Sequence, residues 1–156
     1  MSAGKIVSIA KLARLRKGWR KTGRKVVFTN GCYDLLHAGH VHLLEKAKAF
    51  GDILIVGLNS DASVRKLGKS PERPINAQRS RARVVAALES VDYVALFNSE
   101  TPAALIRTLR PDILVKGADY RAGEIVGRLD AGKTVRIPLK RGFSTTGLIR
   151  KIKKFD

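Results

Sequence analysis

Hydrophobic positions along the chain fall into two textures: short continuous apolar runs, and longer stretches where apolar residues recur at helical spacing. The first run, residues 25–29 (KVVFT), stops at Asn30-Gly31 and reads as a buried strand. A loop leads from it to a helix over about 37–50, with Leu43, Leu44, Ala47 and Phe50 on one stripe and Gly51 placed to end it. Residues 52–58 (DILIVGL) form a second apolar run. A basic, proline-bearing loop over 65–74 follows, and the spacing then predicts a helix at about 78–90 and a strand at 93–97. Thr101-Pro102 opens a helix through Leu109, which Arg110-Pro111 ends. Strands are predicted at 112–116 (DILVK) and 134–139, and Ser144 is placed to cap a last helix running to about 154.

Apolar strands alternating with amphipathic helices imply an α/β fold: a doubly wound, mainly parallel, five-stranded sheet with helices on both faces, Rossmann-like in plan. Ligands of such sheets bind beyond the carboxyl ends of the strands, which directs attention to the loops after Thr29, Leu58, Lys116 and Leu139. A length of 156 residues with 44% hydrophobic content supports one core, assigned here to a domain over 25–156. Residues 1–24 read as a basic helical leader. They hold Lys5, Lys11, Arg14, Arg16, Lys17, Arg20, Lys21 and Arg24 with no acidic residue, while Ile9, Leu12, Leu15 and Trp19 fall near helical spacing. A transit peptide or membrane-surface helix has such a pattern. A helix docked through Leu12, Leu15 and Trp19 is the expectation preferred.

A formal net charge of +18 favours anionic partners without saying which. No aromatic residues interleave with the Lys and Arg as stacking platforms, so a nucleic-acid partner is not expected, although a binding module on this fold stands as the alternative of another class. Cys32 is the single cysteine, which rules out an internal disulfide and suits a reducing, cytoplasmic setting; no segment has the apolar length of a membrane span.

The densest chemistry follows the first strand, in TNGCYDLLHAGH. His37 and His40 lie three apart at a helix start, on nearly the same side of its first turn and beside unpaired N–H groups at the positive end of the helix dipole. That is an anion site with two imidazole donors added, and Gly39 lets an anion approach the backbone. Ordinary helix histidines and a metal site using His42 are the competing readings. His42 points elsewhere and no Cys or carboxylate grouping completes a ligand set, so no protein-bound metal is expected. Neither Gly-x-x-x-x-Gly-Lys-Ser/Thr nor Gly-x-Gly-x-x-Gly occurs, and no Gly-x-Ser-x-Gly elbow is present.

The segment TNGCYDLLHAGH resembles the His-x-Gly-His signature of the cytidylyltransferase-like nucleotidyltransferase superfamily, and the likeness continues through DILIVGLNSDASVRKLG, RPIN, RARVVAALESVDYV, RPDILVKGADY and GFSTTGLIRKI. NSDASVR, RPIN, RPDILVKGADY and GFSTT are most similar to the D-glycero-β-D-manno-heptose 1-phosphate adenylyltransferases, and the chain looks like a stand-alone counterpart of the second domain of the bifunctional heptose kinase/adenylyltransferases. The resemblance implies transfer of AMP from ATP to a sugar 1-phosphate, with Mg²⁺ carried mainly by the triphosphate. A cytidylyltransferase acting on glycerol-3-phosphate or a similar small phosphate is the nearest alternative. A homodimer is implied by analogy alone.

The resemblance also implies roles for individual residues. His37, His40 and Lys69 match the catalytic donors to the phosphates, with Lys66 as a nearby substitute. Asn30, Gly31, Cys32, Tyr33 and Gly39 belong to the first nucleotide-binding segment, and Lys116, Gly117 and Asp119 to the one that frames base and ribose. Arg81 matches an arginine that contacts a phosphate or forms a salt bridge. Ser144, Thr145 and Thr146 open a phosphate-binding helix start. Asp34, Asp61 and Tyr120 are expected on the substrate side, with turn capping the rival role for both aspartates.

Overall fold

The computed structural model describes residues 2–68 and 70–155. Its frame is a five-stranded sheet in the order β3-β2-β1-β4-β5. The strands are β1 (Val26–Gly31), β2 (Ile53–Asn59), β3 (Tyr93–Phe97), β4 (Ile113–Gly117) and β5 (Lys133–Ile137), and every neighbouring pair is parallel. β2 is buried at each of its seven positions, as its unbroken apolar run requires of a strand covered on both faces. Gly57 within it is there for space: a Cβ would come within 2.7 Å of Phe28 Cζ on β1.

The chain runs outward from β1 through β2 to β3, then returns to the other side of β1 for β4 and β5. The order therefore reverses between β1 and β4, and the loops leaving their carboxyl ends diverge into a crevice. On one face, α2 (Ala38–Lys48) and α4 (Gln78–Ala86) set Leu44, Ala47, Ala82, Val85 and Ala86 against Val27, Leu54, Val56 and Val115. On the other, α1 (Ile9–Lys21) and α5 (Ala103–Leu109) press Leu12, Trp19, Leu105, Ile106 and Leu109 onto Val26, Phe28, Ile55 and Leu114.

The basic segment expected as a leader thus shares the core of the rest of the chain. Ser8 caps α1, and Leu12 is fully buried. Ahead of the helix, Ile6 bridges Val94 in parallel, so this segment continues the sheet beyond β3. Arg16 is buried among apolar residues because three oxygens receive it. Its Nε donates to Leu109 O at 3.0 Å, its Nη2 to Arg110 O at 2.9 Å, and the same nitrogen pairs with Asp112 at 3.1 Å. The guanidinium closes carbonyls left open where α5 ends.

Several predicted boundaries shift. The helix expected over 78–90 stops at Ala86, and the strand expected over 134–139 becomes Lys133–Ile137, which leaves Leu139 in the following loop. A short helix, α3 (Asp61–Lys66), capped by Ser60, was not expected, because Val64 alone gives no readable stripe. The last helix, α6 (Thr145–Ile152), starts behind Ser144 as expected, the Ser144 hydroxyl accepting from Gly147 N–H at 2.9 Å.

Candidate active site

The end of β1 brings Asn30 and Gly31 to the crevice, and the chain then turns sharply at Tyr33, whose φ of 48° lies in the left-handed region. Tyr33 is buried against His40, ring centroids 5.1 Å apart. His37 stands at the N-cap of α2 in extended conformation, and its backbone N–H donates to His40 Nδ1 at 3.4 Å. The two imidazoles stack at 3.8 Å, 18° from parallel.

Protonation of this pair is disfavoured. Burial, then the charges of His37 and Arg73, push His40 down to about 4, and burial also lowers His37. Both rings are therefore neutral near pH 7. Since His40 Nδ1 accepts a bond, its proton resides on Nε2, which is then a donor. His37 Nδ1 is buried without a hydrogen-bond partner among the described residues, and such an atom is a place where a ligand is expected to supply the missing partner. Gly39 has a further role beyond exposing backbone, since a Cβ there would stand 3.0 Å from both His37 Nδ1 and Phe143 Cβ.

The facing wall comes from the ends of β4 and β5. Lys116, buried at the end of β4, donates from Nζ to Asn30 Oδ1 and lies over the Tyr120 ring at 5.1 Å. Burial raises the Tyr120 pKa, with Asp119 and Cys32 adding to the effect. Gly117 has no room for a side chain, as its Cβ would meet Asp119 Oδ1 and Leu139. Ser144, Thr145 and Thr146 present the N-terminus of α6. Together the two walls enclose a cleft of about 450 Å³ that includes Asn30, Gly31, Cys32, Tyr33, His37, Gly39 and His40 on one side and residues 116–117, 119–120 and 144–146 on the other.

Four expected residues are placed elsewhere. Arg81 is 1% exposed, and its guanidinium makes four hydrogen bonds to protein oxygens: Asn76 O at 2.9 Å, Cys32 O at 2.6 Å, Asn59 O at 2.8 Å and Asp61 Oδ1 at 2.6 Å. It ties the ends of β1 and β2 to the following loop, and its salt bridge consumes Asp61. Asp34 is buried, and its carboxylate accepts from Ile75 N–H, Asn76 N–H and Arg73 Nε at 2.9–3.1 Å. Burial alone would raise its pKa, but these donors outweigh burial and lower it. Lys66 is exposed on α3 and does not line the cleft, while Lys69 lies outside the described residues. Sequence reasoning missed Arg73, Lys140 and Phe143, which do line it. Arg73 opens the RPIN segment that carries the resemblance, the one local signal for it; its setting depends on Asp34, far back along the chain.

A switch-point crevice with a paired-imidazole helix start and a second helix N-terminus facing it has the make-up of an anion site at the ends of β1 and β4. The Cytidylyltransferase-like family model matches residues 28–137, and the chain belongs to that family. More particularly, it is similar to the bifunctional protein HldE of Wolinella succinogenes, 55% identical over 152 residues, which are 97% of this chain and 32% of that protein. The HldE of Campylobacter curvus is 58% identical over 134 residues, 85% of this chain and 28% of that protein. The chain spans about a third of the length of these curated relatives. Among solved structures, the lipopolysaccharide core biosynthesis protein from Thermoplasma volcanium aligns with a TM-score of 0.67 at 31% identity, over 76% of this chain and 99% of that one. The pantoate-beta-alanine ligase of Francisella tularensis shares the fold, with a TM-score of 0.63 at 17% identity, over 95% of this chain and 76% of that one.

Proposed function

We propose that the chain is a nucleotidyltransferase that transfers AMP from ATP to a heptose 1-phosphate, giving ADP-heptose and pyrophosphate. The observation that carries this reading is the stacked His37–His40 pair with an unpartnered buried nitrogen among the described residues, lining one cleft with the α6 N-terminus. Neutral imidazole donors and helix-start N–H groups suit a site that must hold two anions and stabilise charge growing on the transferring phosphate. The resemblance of NSDASVR, RPIN, RPDILVKGADY and GFSTT to the heptose 1-phosphate adenylyltransferases supports the heptose acceptor and the ATP donor, and the similarity to HldE proteins runs over nearly the whole chain.

In this reaction an oxygen of the sugar 1-phosphate attacks the α-phosphorus of ATP in line. The new phosphorus–oxygen bond forms as the bond to the β-phosphate oxygen breaks, and pyrophosphate leaves with that electron pair. His37 and His40 donate to the α-phosphate oxygens, where losing one donor costs about 3 kcal/mol of barrier. Lys116, Gly117 and Asp119 frame base and ribose, while the α6 start and Lys140 hold the departing phosphates. Lys69 is retained as a triphosphate contact. Asp119 is the single carboxylate among the described cleft residues, and no group of three His, Cys, Asp or Glu gathers there, so the donor set fits a Mg²⁺ carried by the nucleotide. Bound that way, the ion screens the triphosphate charge. A nucleoside triphosphate donor assigns the reaction to the cytoplasm. Pyrophosphate release measured with ATP and with CTP across heptose 1-phosphate, glycerol-3-phosphate and ethanolamine phosphate tests the reading: turnover with ATP and the heptose phosphate is expected, and a preference for CTP with a polyol phosphate overturns it.

A further inference from the structure

α6 follows β5 in sequence but lies against the loop that carries Arg73. Near its carboxyl end, Lys153 Nζ pairs with Glu72 at 3.0 Å, and its apolar residues Leu148 and Ile152 share one groove with Asp34 and Asn76. Its amino end, Ser144 to Thr146, lines the same cleft as Arg73. The α6 start and Arg73 therefore belong to one wall. On that wall Arg73 is tightly held: its side chain is 11% exposed, and its Nε donates at 3.1 Å to Asp34 Oδ2, a carboxylate with no solvent exposure. That carboxylate also accepts from the backbone of Ile75 and Asn76, and the Asn76 amide donates to the Asp34 carbonyl at 2.6 Å, so Asp34 fixes the path of the loop and the direction of the guanidinium together. The Arg73 Nη groups make no hydrogen bond among the described residues. A guanidinium tied at Nε keeps its Nη donors as a planar fork, a shape suited to phosphate oxygens.

The wall says which phosphates. A nucleotide whose base and ribose lie by Lys116, Gly117 and Asp119, and whose α-phosphate meets the His37–His40 pair, extends its remaining phosphates to the α6 start, where Arg73 stands. As the bond to the β-phosphate oxygen breaks, negative charge grows on the departing pyrophosphate. A helix start offers it roughly half an elementary charge, whereas a guanidinium offers a whole one with two donors in a fixed plane.

We propose that Arg73 binds the β- and γ-phosphates of the nucleotide, the part that leaves as pyrophosphate, and that Asp34 is its positioning residue. This rests on the nucleotidyl-transfer reading above and adds to it a cation for the leaving group. The guanidinium stays protonated throughout, so it stabilises charge on the leaving oxygens without making or breaking a bond. Asp34 gains a role that does not require it to touch substrate.

The test is calorimetric titration of the whole chain and its Arg73→Gln, Arg73→Lys and Asp34→Asn variants with ATP, AMP and inorganic pyrophosphate, each with Mg²⁺ and without acceptor, alongside melting temperatures and the acceptor KM. ATP and AMP share base, ribose and α-phosphate, so the difference between them reads the two phosphates at issue; CTP and CMP give the same comparison for the other base. Arg73→Gln is expected to weaken ATP and pyrophosphate about 10- to 100-fold, the size expected for losing charge-assisted hydrogen bonds, with AMP affinity and the acceptor KM within about twofold. Arg73→Lys, a point charge without the fork, recovers part of the loss and carries the test if the glutamine variant does not fold. Asp34→Asn weakens ATP by less, leaves AMP unchanged, and adds nothing when combined with Arg73→Gln. A lowered melting temperature with ATP affinity unchanged in Asp34→Asn overturns its positioning role. ATP affinity unchanged in Arg73→Gln, AMP weakened as much as ATP, or a change confined to the acceptor KM overturns the proposal while the assigned reaction stands. If the wild type releases pyrophosphate from no triphosphate, the assigned reaction fails, and the pyrophosphate titration decides this proposal: weaker binding by Arg73→Gln supports it, and equal binding or none overturns it.

Discussion

His40 and Arg81 show how burial gives two polar residues different work. His40 is kept neutral by its surroundings, with its pKa lowered from 6.5 to about 4. In the unfolded chain the ring takes up a proton as pH falls through 6.5, whereas the folded protein resists until about 4. Stability is thus complete above pH 6.5 and declines as pH falls toward 4; melting curves should show that slope, and His40→Asn should flatten it. A melting temperature constant across that range would contradict the neutral pair. His37→Ala should cut kcat/KM about 10²- to 10³-fold while circular dichroism and melting stay near wild type, as expected for loss of a donor to the transition state. Arg81 is a stability residue. Replacing it with Ala strands three carbonyls and leaves the half-buried Asp61 unpaired, a loss of about 3 kcal/mol of unfolding free energy that urea denaturation would register. The residue types at the site were readable from sequence, because a strand end, a glycine turn and two histidines at a helix start define an anion site locally. The partners of Arg81 and Arg73 were not, since Cys32 lies 49 residues before Arg81 and Asp34 lies 39 before Arg73, contacts that only the folded sheet creates.

Elements followed the same division. β1 and β2 announced themselves as unbroken apolar runs, and Ser144 announced the start of α6 through its capping chemistry. α1 was harder to place, because its basic side chains mask an apolar stripe of modest width. Its packing is unambiguous: Leu12→Ala should cost about 2–5 kcal/mol, because the cavity opens between α1 and the sheet. A cost near zero on denaturation would mean that α1 does not belong to this core. α6 is the opposite case, an eight-residue helix with no fully buried residue, so its hold on the cleft depends on its cap and on the Lys153–Glu72 ion pair at 3.0 Å. Ser144→Ala removes about 1 kcal/mol of capping energy. That loss should appear mainly as a raised KM for ATP, with little change in melting temperature.

Across the whole molecule, the sheet order creates the crevice and the charge supplies its long-range attraction. A net charge of +18 surrounding a site for two anions should speed their encounter, an effect that salt screens. Raising ionic strength from about 20 to about 300 mM should therefore lower kcat/KM for ATP and acceptor with little change in kcat. The most direct measurement offers the protein equal concentrations of ATP and CTP with D-glycero-β-D-manno-heptose 1-phosphate and identifies the products by mass spectrometry. ADP-heptose and pyrophosphate in equal amounts, with CDP-heptose negligible and both products formed about 10²- to 10³-fold more slowly by His37→Ala, is the predicted result. Preferential use of CTP, or no sugar nucleotide from an otherwise folded protein, would contradict it.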